Sequence, residues 1–264
     1  MVACGTGSST RARRGRQWVA PLAALAWLAG ASLAQGAESA ELTRLVDSPT
    51  AGLISKGHIG CHMRLFHDGG VMAEVAAGAL RRLTIGVSYG GEGIIGDRSI
   101  DWYPRLEAGV RYRAVEESQR WPALVLGYET QGYGAYSDKR YEVKSKGLFV
   151  CMSKNYLSGL GQFGLHLGAN LSREDGDGNS DPSGWIGLDK QINDEVQLVG
   201  EYDLALNDGA GGATGVDDGY LNAGARWALA PQLAIGVYLK NLLRRGPGHP
   251  DFPRELSVQY TEEF

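Results

Sequence analysis

LSVQYTEEF closes the chain from Leu256 to Phe264, and its alternation of apolar and polar residues decides the fold. Leu256, Val258 and Tyr260 fall on one face of an extended chain, and the residues between them are polar. Soluble domains usually end in a polar, frayed tail, whereas this chain ends on an aromatic residue directly behind the alternating run. The last segment is therefore predicted to be a strand with one apolar and one polar face.

The same alternation recurs in segment after segment from about residue 57 onward. In the segment 83–90, Leu83, Ile85, Val87 and Tyr89 alternate with small or polar residues, and a period of two indicates strands rather than helices. Most of the segments have the roughly 9 to 11 residues that a tilted membrane strand needs. About twelve are found, near 57–66, 71–79, 83–91, 105–115, 122–131, 145–154, 162–172, 183–191, 195–206, 219–229, 232–243 and 254–264.

The connections between these segments alternate in length. Those after the even-numbered segments are tight, as at Asn193-Asp194 and Pro231-Gln232, whereas those after the third, fifth, seventh, ninth and eleventh are long and polar. Short turns on one side and long loops on the other are typical of outer-membrane barrels. A soluble barrel or sandwich would show the same alternation, but the loop pattern, the even segment number and the terminal aromatic residue favour the membrane. The sequence predicts an all-β fold, an antiparallel transmembrane β-barrel of about 12 strands.

Residues 1–34 have the order of a secretory signal peptide. Four arginines between Arg11 and Arg16 precede an apolar stretch from Trp18 to Leu33 that ends in small residues. The stretch is shorter than the roughly 20 residues of a spanning helix, so cleavage after Ala34 is expected rather than a membrane anchor. The predicted organisation is a signal peptide at 1–34, a periplasmic N-terminal segment at 35–56 and an outer-membrane barrel at 57–264. The modest net charge of -4 gives no sign of a nucleic-acid partner.

The C-terminal strand is also predicted to carry an assembly signal, formed by Tyr260 and Phe264. Outer-membrane barrels typically end in a strand whose final Phe is read by the barrel-assembly machinery, and Phe264 resembles that residue. Glu262 departs from the pattern, because an apolar residue is expected at its position. The expected partners are the barrel-assembly machinery, outer-membrane lipid and lipopolysaccharide.

The polar face of the segments is predicted to line the lumen of the barrel. Its charges have mixed signs, whereas a pore selective for anions or cations shows a bias. In a narrow barrel such charges are expected to pair across the lumen, so a lumen filled by salt bridges and a narrow conduit both remain open. The predicted lumen-lining residues are Arg64, Glu74, Glu107, Arg111, Arg113, Glu129, His166, Asp189, Glu201, Asp203, Arg226 and Lys240.

Several strings go beyond generic barrel features, and together they resemble the YjbH-like family of bacterial outer-membrane proteins. They are VDSPTAGLISKG (46–57), GVSYGGEGIIG (86–96), YRAVEES (112–118), QGYGAY (131–136), KSKGLF (144–149) and EYDLALND (201–208). The resemblance runs from about Val46 to the C-terminus and implies a barrel connected with exopolysaccharide production or export. These strings are turn and strand-end signatures, which carry no chemistry of their own.

Four aromatic residues lie near predicted strand ends on the long-loop side: Trp102, Tyr103, Tyr133 and Tyr136. Aromatic residues in such places usually anchor the barrel at the membrane interface. Stacking on sugar rings is the alternative, and the family resemblance is what suggests it.

Motifs that carry chemistry are weak in this sequence. GVSYG (86–90) matches a hydrolase pattern that works only on a turn between a strand and a helix, and here it lies inside a predicted strand. His58 and His62 cannot bind one metal together, since four residues along a strand span roughly 13 Å. The acidic loop 175–181 lacks the Gly and Glu of a calcium loop. No metal site and no cofactor are predicted, with a loose divalent-ion contact at this loop as the alternative.

Three functions are compatible with these observations. The first is a non-enzymatic barrel in exopolysaccharide production or export, with polysaccharide or exopolysaccharide-export proteins as partners. The second is a narrow, porin-like solute channel. The third is a lipid-active enzyme that uses His166 or His62, although nothing in the sequence selects a partner serine.

Overall fold

The computed structural model describes residues 41–158, 161–208, 219–243 and 253–264. The predicted signal peptide at 1–34 lies outside these residues. Ser39–Phe264 form one compact unit. Among the described residues, no helix has the length and apolar character needed to cross a membrane.

The described chain is almost entirely β-structure, because the alternating segments pair edge to edge. Its strands are β1 (His58–Phe66), β2 (Gly70–Leu80), β3 (Leu83–Glu92), β4 (Asp101–Trp102), β5 (Glu107–Val115), β6 (Ala123–Glu129), β7 (Tyr133–Ser137), β8 (Arg140–Val143), β9 (Gly147–Ser158), β10 (Gly161–Leu171), β11 (Ser183–Gln191), β12 (Val196–Asp203), β13 (Tyr220–Ala230), β14 (Leu233–Leu239) and β15 (Arg254–Glu263). A short 3-10 turn at His67–Gly69 joins β1 to β2.

Twelve of these strands form one closed antiparallel barrel, in the order β1-β2-β3-β5-β6-β9-β10-β11-β12-β13-β14-β15. The barrel closes between its first and last strands, where His62 lies opposite Gln259 in an antiparallel register. Strands β7 and β8 pair only with each other, as a hairpin in the long connection between β6 and β9. The predicted twelve-stranded antiparallel barrel is confirmed.

Side chains alternate between the two faces of the wall as the sequence pattern predicts. On β3, Ile85 and Val87 are 48% and 45% exposed, whereas Thr84 and Ser88 are 6% and 5% exposed. The outward face is a belt of large apolar side chains, which lipid solvates better than water does. This belt includes Val75, Val110, Leu126, Leu148, Leu165, Leu167, Ile186, Leu188, Leu198 and Val237.

Two strands end earlier than the sequence pattern predicts. The segments expected at 195–206 and 232–243 stop at Asp203 and Leu239. Ala205 and Asn241, just beyond these ends, both have φ of 48°. A non-glycine residue in this left-handed region interrupts the extended backbone, so the chain leaves the sheet there.

Residues 41–54 lie inside the barrel, whereas the sequence predicts a periplasmic N-terminal segment at 35–56. Residues 45–53 are all buried, and their contacts reach inward side chains on both halves of the wall, including Arg64 on β1, Ser153 on β9 and Glu201 on β12. We call residues 41–54 the plug. The interior of a twelve-stranded barrel is wider than its own side chains fill, and the plug occupies that space.

Candidate functional site

The plug is held by its backbone on a single carboxylate of the wall, that of Glu201. Three consecutive amides donate to it, from Val46 at 3.1 Å, Asp47 at 2.9 Å and Ser48 at 2.9 Å. Asn222 donates a further bond to Glu201 at 2.8 Å. Glu201 is only 1% exposed, so its carboxylate has lost its hydrogen bonds to water. The four donors take the place of that water.

The side chain of Asp47 enters a cluster of charges from β1, β15 and the end of β14. Its Oδ1 lies 2.6 Å from Nη2 of Arg64, and its Oδ2 lies 2.8 Å from Nζ of Lys240. Glu255 pairs with the same two cations, in close contact with Arg64 and 3.6 Å from Lys240. The ring of Tyr133 covers the cluster, with its centroid 4.0 Å from the Arg64 guanidinium carbon. Two cations and two carboxylates thus balance beneath an aromatic face.

A second set of ionic contacts holds the beginning of the plug. Arg44 of the plug lies 3.3 Å from the carboxylate of Glu129 on β6. Arg111 on β5 donates to the same carboxylate at 2.6 Å and also to the backbone oxygen of Thr43 at 2.6 Å. Arg113, two residues along β5, donates to the backbone oxygen of Ala51 at 2.8 Å. The wall arginines therefore bind the plug by donating hydrogen bonds to its backbone oxygens.

Apolar packing completes the contact between plug and wall. Ala51 and Leu53 pack with Val125 and Phe149 in one buried cluster. Trp185, in the same cluster, donates its Nε1–H to the backbone oxygen of Pro49 at 3.1 Å. The plug thus combines ionic, backbone and apolar contacts, and it behaves as part of the core.

A hydrogen-bonded chain of buried side chains runs along neighbouring strands to the plug. Ser153 on β9 lies 2.7 Å from Nδ1 of His166 on β10, and Nε2 of His166 lies 2.8 Å from Oδ1 of Asp189 on β11. Gln197 donates to the other oxygen of Asp189 at 2.9 Å. The amide of Ala51 donates to the Ser153 hydroxyl at 2.8 Å. These are the residue types of a nucleophilic triad, but here the serine oxygen anchors the plug.

The sequence pattern gave no means of choosing Ser153 as the partner of His166. The two residues face each other directly across β9 and β10 in the sheet register. Once the strand pairing is known, Ser153 can be recognised as the partner of His166, because both side chains point inward from opposite positions. Both His62 and His166 point into the barrel, where His62 lies 3.9 Å from Glu74. Both histidines therefore line the lumen, as the sequence pattern predicts.

The hairpin of β7 and β8 reaches into the barrel from the long-loop end. Arg140 lies 2.6 Å from Asp177 and 2.5 Å from Asp208, in two other long connections. Lys144 lies 2.7 Å from Asp177 as well. Although burial opposes it, the Lys144 ammonium holds the pKa of Asp177 below its ordinary value. These ion pairs tie three long connections together above the lumen.

A histidine in the turn between β1 and β2 fastens the hairpin on its other side. Nε2 of His67 lies 2.9 Å from Glu142 in β8, and Nδ1 lies 3.1 Å from Asp68. The hydrogen bond to Glu142 raises the pKa of His67 to about 9. His67 in turn lowers the pKa of Asp68. The ring is therefore charged at neutral pH, and it bridges the turn and the hairpin.

The residues predicted to line the lumen all lie on the inward face of the wall. Those not yet placed are Glu107, which accepts a bond from Tyr141 at 3.1 Å, Asp203, which pairs with Lys146, and Arg226, which bonds to Gln197 at 3.1 Å and to Gln259. None of the charged side chains named here lacks a partner in the structure. The mixed signs of the lumen thus correspond to paired charges.

The aromatic residues proposed for sugar stacking lie in different environments. Trp102 is 53% exposed and stacks on Tyr89 with ring centroids 5.8 Å apart. Tyr103 and Tyr133 are buried, and the hydroxyl of Tyr103 donates to the backbone oxygen of Gly134 at 2.9 Å. Tyr136 packs edge-on against Tyr141. Of the four, Trp102 is the most exposed, and Tyr136 is partly buried.

The remaining candidates are placed as follows. Tyr260 and Phe264 point outward, and the amide of Phe264 donates to the backbone oxygen of Gly57 at 2.8 Å. In the loop 175–181, Asp177 forms ion pairs with Arg140 and Lys144. Within the described residues, no group of three or more His, Cys, Asp or Glu is arranged to hold a metal ion.

A cavity of about 40 Å³ lies between plug and wall. It is lined by residues from the plug and from β1, β2, β3, β5 and β15, including Arg44, His62, Glu74, Thr84, Arg111 and Gln259. This volume holds a few water molecules.

Comparison with solved structures places the fold among outer-membrane porins. The KdgM porin aligns over 77% of this chain and 98% of its own, with a TM-score of 0.50 and 7% identity. The NanC porin aligns over 78% and 99%, with a TM-score of 0.42 and 10% identity, and an outer membrane channel from Pseudomonas putida F1 over 81% and 97%, with a TM-score of 0.38 and 13% identity. No known family model and no curated protein matches the sequence.

Proposed function

We propose that the chain is a narrow outer-membrane channel whose lumen its own plug closes. The observation that carries this proposal is the cradle at Glu201, where one wall carboxylate binds three consecutive plug amides. A filler with no other role needs only apolar packing, whereas this segment is bound through its backbone and is separate from the strand ladder. Its release breaks the polar contacts described above and the apolar packing of Ala51 and Leu53, and leaves the hydrogen-bonded wall intact.

The outward apolar belt and the closed hydrogen-bond ladder support a location in the outer membrane, because a β-sheet satisfies every backbone group in lipid only when it closes into a barrel. The porin fold of the KdgM neighbour agrees with this location. Outer-membrane lipid, lipopolysaccharide and the barrel-assembly machinery are the partners that we propose on the same ground.

The predicted link to exopolysaccharide production stays a prediction. It depends on the YjbH-like resemblance, and the hairpin buries two of the aromatic residues that sugar stacking would use. A lipid-active enzyme receives no support from the geometry, since the Ser153–His166–Asp189 chain faces the plug and not the membrane.

The experiment is single-channel recording in planar bilayers with the full chain and the Glu201→Gln variant. Glutamine keeps the size of the side chain but loses the charge that binds the amides, and hydrogen bonds to charged groups contribute about 1.5 to 3 kcal/mol. We expect rare openings for the parent protein and about tenfold more frequent openings for the variant.

The matched control is Asp203→Asn, two residues further along the inward face of β12. Its carboxylate pairs with Lys146 and not with the plug, so its opening frequency should equal that of the parent. Each variant is first checked for the folded band in unheated gel samples. Folded Glu201→Gln protein that never conducts would contradict the channel proposal.

A further inference from the structure

The contact between Asp47 and the wall has the chemistry of a ligand site. The Asp47 carboxylate is fully buried between the Arg64 guanidinium at 2.6 Å and the Lys240 ammonium at 2.8 Å. Of the two carboxylates that balance these cations, only Glu255 belongs to the wall. When the plug leaves, two cations retain one anion, so the wall carries a net positive charge at this point.

An aromatic face lies directly against the same cations. The centroid of the Tyr133 ring is 4.0 Å from the Arg64 guanidinium carbon and 5.4 Å from Lys240 Nζ. Tyr133 belongs to the hairpin and Asp47 to the plug, so the hairpin and the plug meet here. A guanidinium can bind a carboxylate through more than one N–H. An aromatic face can pack against the apolar side of a sugar ring.

We propose that Arg64 and Lys240, beneath Tyr133, form a binding subsite for the carboxylate of a solute in the lumen. Asp47 occupies this subsite as an internal competitor, and a carboxylate-bearing solute displaces it. The proposal rests on the channel function proposed above and adds the chemical class of the solute. Asp47 carries two separate roles, because its backbone amide binds Glu201 while its side chain fills the subsite. A side-chain change therefore tests the subsite and leaves the backbone cradle in place.

The test measures binding of D-glucuronate and of D-glucose by calorimetry, at matched ionic strength, to detergent-solubilised full chain. In Asp47→Asn, which keeps the shape and removes the competing charge, we expect glucuronate to bind about tenfold more tightly than glucose and about tenfold more tightly than it binds the parent. The double variant Asp47→Asn/Lys240→Gln should lose that preference. Equal binding of the two sugars by Asp47→Asn, or an unchanged preference in the double variant, would overturn the proposal.

A second measurement covers the case in which Asp47→Asn does not fold. In the parent protein, saturating glucuronate should speed hydrogen exchange at the amides of residues 46–48, whereas glucose should leave it unchanged. Equal exchange in both sugars would overturn the proposal. Neither readout depends on conductance, so selective binding without conductance contradicts the channel function alone, and conductance without selective binding contradicts the subsite alone.

Discussion

Arg111 and Glu129 face each other inside the barrel, and Nε of Arg111 donates to Oε1 of Glu129 over 2.6 Å. Tyr112, the next residue on β5, points outward and is 47% exposed. The alternation along this strand therefore separates a lipid-facing side from a charged interior. Arg111 also binds the backbone oxygen of Thr43, so the same side chain serves both the wall and the plug.

Arg111→Leu is expected to lower resistance to heat unfolding in detergent, because it leaves the Glu129 carboxylate buried without its nearest cation. Breaking a buried ion pair costs roughly 3 to 5 kcal/mol, and Arg44, 3.3 Å from Glu129, offsets part of that. Adding Glu129→Gln should recover part of the loss, as a double-mutant cycle measures. The control Arg82→Leu removes an exposed pair with Glu116 worth about 0 to 1 kcal/mol. Higher stability of Arg111→Leu would mean that the inward face is assigned backwards.

Trp185→Phe should loosen the plug while keeping an aromatic ring in its cluster. The change removes the bond from Nε1 to the backbone oxygen of Pro49, worth about 0.5 to 1.5 kcal/mol. We expect faster hydrogen exchange at the amides of residues 46–51, measured by mass spectrometry. The control is Trp227→Phe, since Trp227 lies outside the barrel and is 52% exposed. If both variants exchange at the parental rate, the Trp185 bond does not hold the plug.

The bridge from His67 to Glu142 should make the closure of the hairpin depend on pH. The pKa of His67 is about 9 in the folded protein, above the value of about 6.5 for a free histidine. Because the folded value is the higher one, the stabilisation is complete below about pH 6.5 and is lost as the pH rises through about 9. We expect the melting temperatures of the parent and of His67→Gln to differ at pH 6 and to converge at pH 10.

The control for this effect is His58→Gln at the start of β1, where the ring contacts the backbone oxygen of Lys56 and not a carboxylate. Its melting temperature relative to the parent should not change between the two pH values. A difference for His67→Gln that persists at pH 10 would exclude the charged bridge as its cause.

Deletion of Phe264 should leave protein misassembled in the periplasm. The deletion removes the terminal aromatic side chain, which is 76% exposed on the outside, and the backbone bond to Gly57. The readout is the amount of folded protein in the outer-membrane fraction. Leu157→Ala, which removes another exposed apolar side chain on β9, should assemble at the parental level. Parental yields after the deletion would show that Phe264 is no assembly signal.

The sequence by itself determined the barrel wall. Alternation is a local property, and it assigned Val110 and Tyr112 to the lipid side and Arg111 to the interior before any strand was paired. Turn residues and loop lengths then fixed the number and direction of strands, because antiparallel neighbours need only short connections. The C-terminal run that closes the barrel against β1 shows the same rule, since its Gln259 lies opposite His62 on the inward face.

Only the tertiary structure decided what fills the barrel. Val46 donates to Glu201 across 155 positions of sequence, and Asp47 meets Lys240 from the other end of the chain. The plug has no periodic pattern, because it is held through backbone amides, oxygens and single charges that any polar segment carries. The burial of Tyr133 could not be predicted for the same reason, because it depends on partners such as Arg64 that lie far away in sequence. The local alternation of apolar and polar residues specifies which face of a strand points into the lumen. The contents of the lumen, in contrast, depend on contacts that exist only after the barrel has closed.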